Sequence, residues 1–82
     1  MTMIINHDGM EKELRYYYII QDCDSVAADM IITQLNLFNA RVEMKKTCCI
    51  IWTNLEGFRH IYEAEKYIEE RYDCKLLMKG MI

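Results

Sequence analysis

The chain has no proline, and its three glycines stand apart at Gly9, Gly57 and Gly80. Without Pro-rich or Gly-rich stretches there is no room for a flexible linker or low-complexity segment, so residues 1–82 are expected to order as one domain. Isolated glycines also exclude a Gly-rich phosphate loop. No apolar run approaches the roughly 20 residues a membrane helix needs, and no signal-like segment opens the chain. No membrane association is therefore expected, and a cytoplasmic location is. Excess positive charge is missing too: the net charge of −3 argues against general phosphate-backbone binding, which draws most of its affinity from a basic patch. A nucleic-acid binder would need Arg15, Arg41, Lys45, Lys46, Lys75 and Lys79 gathered on one sheet face, and a direct nucleic-acid ligand is not expected.

What is present is apolar. A hydrophobic content of 52% with 28% charged residues lies outside the disordered class and is high for so small a chain. So small a chain hides only about 60 to 65% of its unfolded surface, so part of that apolar material is expected to serve a partner. The four cysteines, Cys23, Cys48, Cys49 and Cys74, lack the paired spacing of a zinc site and read as reduced, small hydrophobes. No metal or cofactor is expected.

The stretch Thr47-Cys48-Cys49-Ile50-Ile51-Trp52-Thr53 is apolar on both alternating faces, the pattern of a strand inside a sheet. Before it, residues 1–6 read as a strand turning at Asp8-Gly9 onto a second strand, Leu14 to Ile20. On that second strand Leu14, Tyr16, Tyr18 and Ile20 share one face, and Arg15, Tyr17, Ile19 and Gln21 share a wetter one. Asp24 or Ser25 caps a helix over Val26 to Asn39. Its apolar residues, among them Met30 and Leu37, span more than half its circumference, wider than packing on one sheet requires. Asn54 caps a second helix, Leu55 to Arg71, with Phe58, Ile61, Ala64, Ile68 and Tyr72 on the inner side. Glu65 is the one charge near the centre of that stripe and is expected to be paired. A last strand follows at Lys75 to Lys79, with Leu76 and Met78 on one face.

Between the helices, Lys45-Lys46 either turns a hairpin or lies within one long strand from Arg41 to Thr53. A hairpin, marked by Val42 pairing with Ile50, gives an α+β two-layer sandwich with a ferredoxin-like core and an extra N-terminal strand. An unbroken strand gives the alternative, a three-layer βαβαβ arrangement.

Two functional readings follow. If the two strands that precede the helices lie parallel, their caps open at one edge, and Asp22, Asp24, Ser25, Thr53 and Asn54 could bind a metal or nucleotide phosphate there. The run Asp22-Cys23-Asp24-Ser25-Val26-Ala27-Ala28 resembles the aspartate-rich strand-ending motif of the DHH phosphoesterases. That family needs further His and Asp motifs, which His7 and His60 do not supply, so its activity is not expected. A Tyr-rich strand ending at Asp22 also resembles, in layout, the small ferredoxin-like nucleases of CRISPR adaptation, and layout alone does not carry function. The leading reading is a small non-catalytic protein-binding module that self-associates as a homodimer and inhibits a larger partner. In size and charge it resembles phage-type inhibitors of host defence such as anti-CRISPRs. Its contact residues would be Tyr17, Met30, Leu37, His60, Tyr62 and Tyr67, side chains expected on the wetter strand face, the over-wide helix and the outer side of helix two.

Overall fold

A computed structural model of the protein describes residues 13–37 and 39–82. The elements run β1 (Tyr16–Gln21), α1 (Ser25–Gln34), β2 (Arg41–Met44), β3 (Cys48–Thr53), α2 (Leu55–Glu63), α3 (Glu65–Tyr72) and β4 (Lys75–Met81). The four strands form one open sheet in the order β2-β3-β1-β4. Every neighbouring pair is antiparallel. The arrangement is α+β.

Alternation on the central strands decides which side the helices cover. Tyr18 and Ile20 on β1, and Cys49, Ile51 and Thr53 on β3, are fully buried. They share one face because Tyr18 pairs with Ile51 and Ile20 with Cys49. The buried residues of all three helices, Ala28 and Ile31, Ile61, and Ile68, join the same cluster. Gly57 brings α2 close to β3: a Cβ there would collide with the Thr53 hydroxyl and stand 3.2 Å from Leu37 Cδ2. That hydroxyl is buried and has no hydrogen-bond partner among the described residues.

Lys45-Lys46 turns the chain. Lys45 N–H donates to the Cys48 carbonyl at 2.8 Å, and Val42 pairs with Ile51 rather than Ile50. The alternative of one unbroken strand is thereby excluded, and the hairpin register is one residue from that expected.

Three expectations need correction. First, α1 stops at Gln34, because Asn36 and Asn39 take left-handed backbone conformations that polar Asn tolerates. Leu37 therefore lies in the connection and drops into the core at 5% exposure. It is not a contact residue on a wide helical arc. Second, the continuous second helix breaks at Ala64, whose φ of −105° and ψ of 10° end α2 and start α3. The inward set survives the break, since Ile61 and Ile68 are buried and Phe58, Ala64 and Tyr72 pack against them. Third, Leu76 and Met78 lie on opposite faces. The β1–β4 register shifts between Ile19 and Ile20, so that Ile20 pairs with Leu76 and Ile19 with Met78, leaving Leu77 as the extra residue of a bulge. The N-terminal strand expected over residues 1–6, folded back on the second strand, lies outside the described residues.

Candidate functional site: the open face of the sheet

The residues that alternate with the core form three cross-strand rows on the other side of the sheet. The first is Arg41, Trp52, Tyr17 and Gly80; the second is Glu43, Ile50, Ile19 and Met78; the third joins Cys48, Gln21 and Lys75. Among the described residues the buried side chains of the helices all join the core on the other side. Its centre is apolar and half-buried, and Met78 is exposed.

The first row is the most shaped part. Tyr17 and Trp52 stand side by side on the two central strands, with ring centroids 5.3 Å apart and planes inclined by 52°, within the range of favourable aromatic pairs. Trp52 Nε1 donates to Glu43 Oε1 at 2.6 Å, and the other Glu43 oxygen lies 3.7 Å from Lys45 Nζ. The indole is thus held by its neighbour strand. On the far side the Tyr17 ring lies over Gly80, where a Cβ would come within 2.6 Å of the Tyr17 hydroxyl oxygen. Beside Trp52 an open recess of about 640 Å3 is lined by Leu14, Arg41, Val42, Glu43, Trp52 and Ile82.

The structure pulls apart the residues grouped at a shared helix-cap edge. Because Tyr16 pairs with Thr53 and Gln21 with Cys48, β1 and β3 run oppositely, and their ends lie about five residues apart, roughly 17 Å at strand rise. Asp22, Asp24 and Ser25 sit at one end of the sheet; Thr53 and Asn54 sit at the other. Each capping side chain is used locally: Asp24 Oδ1 accepts from Ala27 N–H and Asn54 Oδ1 from Gly57 N–H, both at 2.8 Å. Asp22 takes a left-handed turn conformation, with φ of 61°, and its N–H donates to the Thr47 carbonyl. Among the described residues no group of three or more His, Cys, Asp or Glu is placed to hold a metal ion.

The proposed contact residues scatter. Tyr17 is on the open face. His60 is half-buried, with Nδ1 3.1 Å from the Leu35 carbonyl, tying α2 to the end of α1. Tyr67 is exposed, and its hydroxyl accepts from Gln34 Nε2 at 2.8 Å, while Tyr72 donates to the Oε1 of the same amide. Exposed Tyr62 covers Lys79, whose Nζ is 4.4 Å from the ring centroid. Met30 is exposed on α1 together with Val26, at 44% and 65%.

Glu65 is paired, as its position on the stripe demands. Its Oε2 accepts from the Tyr18 hydroxyl at 2.7 Å and from Lys79 Nζ at 2.8 Å. Burial pushes the carboxyl up, but the bonds from Lys79 and Tyr18 outweigh it and hold the group below its ordinary value. Burial and the bond to Glu65 raise Tyr18 in turn. Cys23, Cys49 and Cys74 are buried free thiols, as expected of small hydrophobes, and Cys48 is half-buried on the open face. The Cys23 and Cys49 thiols share a hydrogen bond that lowers the first and raises the second. Burial pushes Cys74 up to about 11.

From the sequence, either side of β3, Cys48-Ile50-Trp52 or Cys49-Ile51, could be the one left in need of cover, and register and burial place Cys49 and Ile51 under the helices. Sequence reasoning missed Ile19, Met78 and Gly80, because strand order and the bulge decide which of β4's residues reach this side. The chain matches no family model, and comparison with curated proteins and with solved structures finds no significant match.

Proposed function

We propose that the chain is a small non-catalytic binding module whose working surface is the open face of the sheet. One observation carries this reading: the helices bury one side of β1 and β3, while Tyr17, Ile19, Ile50 and Trp52 on the other are only half-buried. A contiguous apolar patch with shaped aromatics is a common signature of an interaction site. A ferredoxin-like core is part of this proposal, a frame in which such a face is free to bind. A self-associating inhibitor of a larger complex is the form this proposal takes if the occupant is a protein. The exposed Val26 and Met30 pair on α1 favours a second, smaller contact for that case.

The test compares immobilised wild-type chain with an Ile50→Glu variant, whose retained fold is checked by circular dichroism. The wild type is expected to retain a macromolecule from cell extract that the variant does not. Identical recovery by both, or by neither, defeats the reading.

A further inference from the structure

Charge is divided between the two layers of the molecule. The helices carry Asp29, Glu56, Glu63, Glu65, Glu69 and Glu70 against only Arg59, Lys66 and Arg71. On the open face Arg41 and Lys75 stand at the two flanks, and the end closed by Lys45-Lys46 also holds Asp22 and Asp73. The one acid in the rows, Glu43, is engaged by the Trp52 N–H and by Lys45. The rows thus carry two cations and one engaged acid, while Lys79 bonds Glu65 on the other side.

We infer that the open face is a platform for a single-stranded polynucleotide, with bases stacked on Tyr17 and Trp52 and phosphates drawn to Arg41 and Lys75. This rests on the open face being the working surface. Aromatic rings on the two central strands of an open sheet offer successive bases a π-surface, and that stacking is tolerant of sequence. The 5.3 Å separation and 52° inclination of the rings give each its own plane, so two neighbouring bases can each find a partner. Glu43 and Gly80 hold the indole and the phenol in place beforehand, which lowers the ordering cost of binding. A duplex is a poorer occupant, because its bases already stack on one another. Stacking and phosphate contacts read neither base edges nor the 2′-hydroxyl, so RNA and DNA strands fit alike.

The test is fluorescence anisotropy at low salt with a labelled oligouridylate of about twelve nucleotides, its oligothymidylate counterpart and a duplex of equal length. Both single strands are expected to bind at least about tenfold more tightly than the duplex and to quench the fluorescence of Trp52, the sole tryptophan. Trp52→Leu and Tyr17→Leu should each weaken binding about tenfold or more. Arg41→Gln and Lys75→Gln should each lower the slope of log affinity against log salt by about 0.7; these two exposed positions keep the inference testable if an aromatic variant fails to fold. No binding at low salt, equal binding of the duplex, or affinity and salt slope unchanged in folded variants would overturn it. If the oligonucleotides do not bind but the wild type retains a nuclease-resistant partner that Ile50→Glu releases, this inference falls and the binding-module reading stands.

Discussion

Ile50 and Ile51 are neighbours in β3 with the same chemistry, yet Ile51 is completely buried beneath the helices while Ile50 looks outward between Ile19 and Glu43. The two faces share every backbone hydrogen bond of the sheet and differ only in what lies above them. One face is closed by packing, with a glycine that admits a helix and a carboxylate that takes two hydrogen bonds. The other is closed by nothing among the described residues, and its glycine admits an aromatic ring instead. Packing therefore concentrates stability on the first face, and the second is the surface proposed to bind.

The largest break in that comparison comes from the isoleucine pair itself. Ile51→Ala should cost about 2–5 kcal/mol, for lost transfer energy and the cavity left behind, and Ile50→Ala about 1 kcal/mol or less, both read by urea denaturation. Equal costs would mean that the open face is covered. Next, Gly57→Ala forces a methyl against the Thr53 hydroxyl and should cost about 1–3 kcal/mol. The Thr53→Ala background should recover much of that loss in a double-mutant cycle.

The pH dependence sharpens the closed side. Glu65 is lowered in the folded chain, so its stabilisation is fully present above the ordinary value of 4.5 and is lost as pH falls through the lowered one. Glu65→Gln should flatten the acid limb of a plot of melting temperature against pH. Cys74 is raised from 9.0 to about 11, so stability should fall across that interval, where the unfolded chain ionises its thiol before the folded chain does. Cys74→Ala should remove that part of the alkaline limb. The smallest effect is expected from Gly80→Ala. Its φ is not positive, and only the far end of the Tyr17 side chain stands in the way. The melting temperature should barely move, while the near-ultraviolet dichroism of the Tyr17–Trp52 pair changes.

Much of the closed face was legible in the residues. The alternation of β1 and β3, the caps at Asp24 and Asn54, and the inward set on α2 and α3 follow from periodicity and side-chain chemistry, which are local. The end of α1 was less legible, because two asparagines entering left-handed conformations leave Leu35 and Leu37 in apparent helical register. The break at Ala64 carries no Pro or Gly to announce it. The candidate site was half legible: the two apolar faces of β3 implied that one would need other cover, but which one, and its neighbours, depended on antiparallel pairing and strand order. That same pairing separates the two helix caps, which a parallel arrangement would have joined.

Leu77 has a consequence out of proportion to its contacts. Strand side chains obey a binary count, in or out, and one supernumerary residue resets the count for everything beyond it. With Leu77 present, Lys79 pairs with Tyr18 and reaches Glu65, and Met78 is turned outward. The same residues in a strand without the bulge would set Met78 opposite Tyr18 and Lys79 opposite Tyr17, exchanging the two. Glu65 would lose its cation, and the lysine would emerge beside Tyr17. The bulge thus works as a frameshift written in backbone geometry: it absorbs one residue so that both sides of the sheet keep their partners, and deleting Leu77 would leave a regular ladder with the same pairs.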